Sequence, residues 1–315
     1  MPLGLRRGTV TAVLESLERL VRLEVDAIAC IAYPRLTGAV EVGDDVLVNE
    51  QARLLELGSG GFDVLYANLT RGLGLAAENG AHVMALPYTP GQVALRRAEE
   101  DGPPLPESIG GRPVVLCTVH SQVAPVCAAL AGTRVAYMQV AGGALPLSLS
   151  DTIRVLQTRG LVGVSIAVAP CLDGDFDCVS SAAALALAAR ERYEAIVCSV
   201  GPGIVGTGTP LGHGALALAH VANVAGALGG RPVLALRWSD RDPRERHRGL
   251  SHHAESVRGL IRVPYEEASP DLDGDGWREA CVDLPLSHMG RGPEEDPEHF
   301  RTAYAAGAVA RRMIV

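Results

Sequence analysis

AIVCSVGPGIVGTGTPLGHGALALAHVANVAGAL, residues 195–228, reads as a strand, a glycine-rich loop and a helix in succession. Residues 195–200 are apolar or small without a charge, the pattern of a strand covered on both faces. Residues 201–214 carry too many glycines for either regular element. Residues 215–228 then run apolar at helical length.

The same rhythm extends to both sides. Apolar runs at 113–119, 134–140, 161–169 and 232–238 alternate with helical stretches at 123–130, 150–158 and 180–193. Alternation of this kind predicts a mainly parallel, Rossmann-like sheet with helices on both faces. The acidic stretch 263–315 has no assigned place in that sheet, although 300–312 reads as a closing helix. Upstream the pattern changes. Short runs at 8–14, 20–25, 28–33, 46–49, 62–67 and 82–86, punctuated by Gly, Pro and Asp, predict a small β-barrel or sandwich. The expectation is an α/β protein: a β-barrel-like module over 1–95, a Pro- and Gly-rich linker over 96–112, and an α/β domain over 113–315.

Composition narrows the function. The chain has 315 residues, 48% hydrophobic and 20% charged, enough for a large packed core. All 28 of its Lys-plus-Arg total are arginine. The absence of lysine excludes a Schiff-base lysine, a pyridoxal-phosphate anchor and a Walker-type phosphate lysine. A net charge of −8 is a poor match to nucleic-acid binding. No signal-peptide pattern opens the chain, and the uncharged run 215–228 is too short to span a membrane. The 7 cysteines form no C-x-x-C pair, and Cys30, Cys117 and Cys198 sit in apolar runs. Reduced thiols in a cytoplasmic protein, away from membranes, are expected.

In an open α/β sheet, ligands bind outside the carboxyl ends of the strands. The loops expected there carry His120-Ser121, Gly142-Gly143, residues 171–177, residues 201–214 and residues 239–253. Gly201, Gly203 and Gly206 match G-x-G-x-x-G, but no acid follows about 20 positions on, as a dinucleotide site requires. Thr207 occupies the place of a Walker lysine. What remains is a glycine-rich turn whose backbone N–H groups could face an anion, with Gly208 and the hydroxyls of Thr207 and Thr209 beside it. The plain alternative is a tight crossing without a ligand.

Residues 240–253, DRDPRERHRGLSHH, are dense in charge. Arg244, Arg246 and Arg248 alternate, so in an extended segment they share a face and could clamp a phosphate or carboxylate. A solvated salt-bridge network is the bland reading. His120, His247, His252 and His253, with Asp240, are the general acid/base candidates. No H-E-x-x-H spacing is present, but Asp240, Asp242, His120 and Asp173 could join the three clustered histidines around a metal. Asp271-x-Asp273-Gly-Asp275-Gly276 opens like a calcium loop, yet Val282 stands where a bidentate acid belongs, so a turn is expected. No G-x-S-x-G elbow occurs, and Ser121 beside His120 is no nucleophile pair.

GGALP at 142–146, GPGIVGTGT at 201–209, DPRERHRGLSHH at 242–253, MGRG at 289–292 and Asp296-Pro297 together resemble a bacterial family, Domain of Unknown Function 3866. The resemblance runs nearly end to end. It implies one shared architecture and brings neither an activity nor a catalytic residue.

The preferred expectation is therefore binding of an anionic small molecule, a nucleotide or phosphorylated metabolite, at the carboxyl edge of the sheet. Gly142, Gly143, Gly201, Gly203, Gly206, Thr207, Gly208, Thr209, Arg244, Arg246, Arg248 and Ser251 are its candidate ligands. Two alternatives stand beside it: a metal-dependent hydrolase with a metal-activated water, and a regulatory or scaffold protein without catalysis. Cofactor and metal identity are left open, and a homodimer is expected only because such dimers are common.

Overall fold

The computed structural model describes residues 3–56 and 60–314. The chain divides into two compact units, Met1–Arg96 and Arg97–Val315.

In the first unit, β1 (Leu5–Ser16), β2 (Val21–Val25), β3 (Ile28–Ala32), the one-turn helix α1 (Pro34–Thr37), β4 (Asp45–Asn49), the short α2 (Gln51–Leu54) and β5 (Asp63–Asn68) follow one another. The five strands close into a barrel in the order β1-β2-β3-β5-β4. Alternation along the strands turns Val10, Leu23, Val25, Cys30, Val46, Val48 and Leu65 inward. Asp26 and Ala27, at φ 51° and 62°, make the two-residue β2–β3 turn. A hairpin of β6 (Val83–Ala85) and β7 (Val93–Leu95) ends the unit.

The second unit runs β8 (Pro113–Cys117), α3 (Val123–Ala129), β9 (Val135–Val140), α4 (Asp151–Thr158), β10 (Val164–Val168), β11 (Phe176–Cys178), α5 (Ser181–Arg190), β12 (Ala195–Val200), α6 (Ala217–Ala227) and β13 (Arg231–Ala235). Then come β14 (Trp238–Ser239), β15 (Gly249–Leu250), α7 (His252–Leu260), β16 (Glu266–Glu267), α8 (Pro270–Asp273), α9 (Trp277–Ala280) and α10 (Pro297–Arg312). The main sheet is parallel throughout, in the order β11-β10-β9-β12-β8-β13-β16.

Successive residues of the central strands point to opposite faces. Val115, Tyr137 and Val197 pack under α3, α4 and α10, while Leu116, Met138 and Cys198 pack under α5, α6 and α7. Each fully buried Val or Leu contributes about 1.5–3 kcal/mol. Ser150 and Ser180 cap α4 and α5 by accepting from Ile153 N and Ala183 N. Among the described residues, no helix is long and apolar enough to cross a membrane.

Three expectations are adjusted. The stretch expected as a linker packs on the second unit: Ile109 is fully buried and its N–H donates to Leu228 O at 2.9 Å. Strands expected to reach 119 and 238 stop at Cys117 and Ala235 because one side chain terminates both. Gln122 accepts from Val119 N and Thr118 Oγ1, while its Nε2 donates to the carbonyls of Ala235 and Leu236. The acidic C-terminal stretch supplies an edge strand, β16, and α10 on the α3 face.

The strand order positions the ligand-binding edge. β12 lies between β8 and β9, but its chain continues to the α6 face, whereas β8 and β9 continue to the α3 and α4 face. Connections parting to opposite faces open a crevice at the carboxyl end of β12.

Candidate functional site

The glycine loop at that end is built on close backbone approach. A Cβ at Gly143 would lie 2.2 Å from Gly201 O, one at Gly201 would lie 2.1 Å from Ala144 O, and one at Gly214 would lie 2.1 Å from Gly142 O. Four loop N–H groups are bonded internally: Ala144 N to Pro202 O, Val205 N to Gly142 O, Gly214 N to Val205 O and Thr207 N to Gly212 O. Gly142, Gly143 and Gly201 thus let two loops touch, and Gly206 pairs with His213 across a small ladder. At the exposed tip, beside Gly208, the hydroxyls of Thr207 and Thr209 bond each other at 2.8 Å, and Gly203 stands open. The loop's return delivers His213, 6% exposed, into the crevice.

Past β13 the chain turns Arg237 inward, with 2% exposure. Its Nη2 lies 3.5 Å from Asp242 Oδ2, and its Nη1 donates to His253 Nδ1 at 3.0 Å. Arg244 grips the same carboxylate with two bonds, 2.9 and 2.8 Å, and Arg291 Nη2 stands 3.7 Å from it. Arg291 Nε also donates to Asp296 Oδ2 at 3.0 Å, which accepts the Ser239 hydroxyl at 2.6 Å. Burial alone would raise the Asp242 pKa, but the bonds from Arg244's side chain and backbone outweigh it and hold the carboxyl well below its usual range. Burial, then repulsion from Arg244, lowers Arg237 to about 10, so it stays charged at neutral pH.

Two histidine groups flank this ionic knot. His213, His247, His252 and His253 stack and tilt on one another, the closest pair being His213 and His253 at 4.0 Å between ring centres. Ser251 caps α7 and bonds His247 Nδ1 at 2.7 Å. In the other group His288 and His299 stack at 3.7 Å and share Ser121 Oγ, at 2.9 and 3.0 Å. Trp238 O can only accept, so His299 Nδ1 is the protonated nitrogen and its Nε2 accepts from Ser121. Burial pushes every one of these rings below the usual histidine range, His247 and His299 to about 3 and His253 to about 2. At neutral pH the six rings are uncharged. Three guanidiniums then face two carboxylates, Asp242 and Asp296, leaving one positive charge in excess.

The neutral histidines make the unit acid-sensitive. Folded pKa values below the unfolded value of about 6.5 give stability that is present above that value and lost as pH falls toward the folded ones. His120 at about 4 and His299 at about 3 are two of the groups responsible. Urea midpoints at pH 7, 6, 5 and 4.5 are expected to fall steadily; a flat profile would show these rings already charged in the fold.

Several candidates read from the sequence take other roles. His120 sits in a separate buried network, bonding Ser150 Oγ at 2.8 Å and Ser199 Oγ at 3.3 Å. Asp240 is exposed and accepts from Trp238 Nε1. The alternating face expected of Arg244, Arg246 and Arg248 does not form, because Glu245–His247 winds into a 3-10 turn. Arg244 turns in to Asp242, while Arg246 and Arg248 remain exposed. The Asp271–Gly276 stretch, expected as a turn rather than a calcium loop, begins in the one-turn helix α8, where Asp271 and Asp273 pair with Arg301 and Arg312. His213, Arg237, Ser239, His288, Arg291, Asp296 and His299 were not singled out by sequence reasoning. MGRG and Asp296-Pro297 held part of that signal, as family strings without a chemical role.

A family model described as Protein of unknown function (DUF3866) matches residues 29–275. No curated protein matches the chain.

Proposed function

The chain belongs to the DUF3866 family, which brings no activity with it, and from its geometry we propose that it binds an anionic small molecule, a nucleotide or phosphorylated metabolite, at the carboxyl edge of its sheet. The carrying observation is the positive excess of the Arg237, Arg244 and Arg291 cluster, in which Arg237 is buried, Arg291 is 17% exposed and Arg244 is 35% exposed. Arg237 Nε and Arg291 Nη2 are buried donors that have no hydrogen-bond partner among the described residues. An uncompensated buried cation is costly unless paired. A phosphate or carboxylate would supply the charge, and forked guanidiniums suit its geometry. Arg246 and Arg248, exposed on the same loop, would steer an anion inward rather than hold it. The glycines of residues 201–214 contribute by shaping the crevice, since much of the loop's backbone already bonds within itself. The 7 free, buried cysteines are in keeping with a cytoplasmic setting.

Calorimetric titration with phosphate, pyrophosphate, AMP and ATP tests the reading. The wild-type chain is expected to bind at least one of them. Arg291→Ala should weaken that binding by about 10-fold or more, the loss of a charged hydrogen bond. Arg246→Ala should leave the equilibrium affinity within a few-fold. No binding by the wild type, or equal binding by Arg291→Ala with an unchanged melting curve, overturns it.

A further inference from the structure

We propose that His213, His252 and His253 form a three-histidine transition-metal site, open to an exogenous fourth ligand. One ligand atom from each ring lies within 4.8 Å of the others. Three nitrogens on a tetrahedral zinc stand about 3.3 Å apart at a bond length of about 2.0 Å, so a modest contraction closes the site. A second observation points to a ligand independently. His213 is nine-tenths buried, yet neither ring nitrogen makes a well-aligned hydrogen bond among the described residues, the Pro210 backbone being its one weak contact, and His252 Nε2 is buried and unpartnered. Buried polar atoms are rarely left so, and a bound ion is one of the standard reasons.

The fourth ring of the group is not part of the set, because the nitrogens gathered within 4.8 Å are those of His213, His252 and His253 and not of His247. Two elements converge to make the site, the return of the glycine loop at His213 and the first turn of α7 at His252 and His253. A shallow, open cavity of about 380 Å³, lined among others by Pro210, Leu211, His252 and Glu255, adjoins the site on its His252 side. Neutral imidazoles as sole protein donors suit Zn²⁺, Co²⁺, Ni²⁺ or Cu²⁺, and disfavour Mg²⁺ and Ca²⁺, which take oxygen. One proton must be accounted for. Arg237 donates to His253 Nδ1, so the neutral ring carries its hydrogen on Nε2. Coordination of the neutral ring through Nε2 moves that hydrogen to Nδ1 by way of solvent, with no net proton released, and requires Arg237 to turn from Nδ1 toward Asp242, whose Oδ2 already lies 3.5 Å from its Nη2.

The metal ligands are distinct from Arg237 and Arg291 of the anion site, although Arg237 bonds His253, so His252→Gln probes the metal and Arg291→Ala the anion separately. The test is titration of the untagged, chelator-stripped full chain with Zn²⁺ and Co²⁺ in an anion-poor buffer. Expected are one equivalent bound per chain and the visible absorption of four-coordinate Co²⁺. His252→Gln, at a partly exposed position, and His213→Gln should each weaken binding at least 100-fold, while His247→Ala should retain the Co²⁺ spectrum. If His213→Gln fails to fold, His252→Gln decides. Wild-type binding below stoichiometry, a six-coordinate Co²⁺ spectrum, or wild-type affinity in a folded His252→Gln overturns the proposal.

Discussion

Asp242→Ala is expected to remove about 3–5 kcal/mol of stability, enough to unfold much of the second unit, since breaking a buried ion pair leaves the partner charge uncompensated. Here the consequence is multiplied. Arg237, Arg244 and Arg291 all approach this one carboxylate, and its loss leaves Asp296 alone against three guanidiniums. Asp242→Asn keeps the volume and one acceptor oxygen, so it should lose less than alanine but far more than a surface change of the same kind. The pH dependence separates charge from shape. Asp242 is held well below the usual carboxylate range, so its contribution is complete above the unfolded value of about 3.9 and is lost as pH falls below it. The stability gap between wild type and Asp242→Asn, read from denaturant midpoints, should therefore narrow on acidification below about pH 4. A gap that stays constant would mean that packing, rather than the ionised carboxylate, holds the loop.

Gly201→Ala is the second large effect. Its new Cβ would sit 2.1 Å from Ala144 O, a backbone atom bound into the β9 and β12 loops, so neither side can give way as a flexible side chain would. Overpacking of this severity is expected to cost about 3 kcal/mol or more. The same loop contains its own controls. Gly203 has open space but a φ of +70°, so alanine there should cost about 1–2 kcal/mol. Gly208 has neither restriction, and alanine there should be neutral or slightly stabilising. The order of thermal midpoints should run Gly208→Ala, Gly203→Ala, Gly201→Ala from highest to lowest. Gly201→Ala melting like wild type would mean that the two loops do not touch.

The strands were legible because runs such as AIVCSV are local statements about burial, and a parallel sheet buried on both faces writes them without interruption. Their ends were less so. Where β8 and β13 stop depends on Gln122, whose amide reaches both strand ends. The glycines were visible as glycines, but their purpose lies in pairs such as Gly143 and Gly201, whose contact exists only once β9 and β12 are neighbours. Arg237 was hidden for a related reason. An arginine just beyond an apolar strand reads as its solvated end, and only Asp242 folding back makes it an interior cation. His288 and His299 stand singly in the sequence, and their stacking on Ser121 is entirely tertiary.

The place of β12 in the sheet also sets an order of events for the growing chain. The two neighbours of β8 are β12 and β13, both of which lie downstream of it. When Pro113–Cys117 leaves the ribosome it has no partner, and β9, although next to arrive among the sheet strands, is not one. The strand must wait, apolar on both faces, until Ala195–Val200 has been synthesised and slips between it and β9. Sheet assembly is thus by insertion rather than by zipping along the sequence, which places long-range closure ahead of local gain. A chain halted within α5 would carry a hydrophobic strand with nothing to bind but other chains, the state in which nascent proteins most need chaperones.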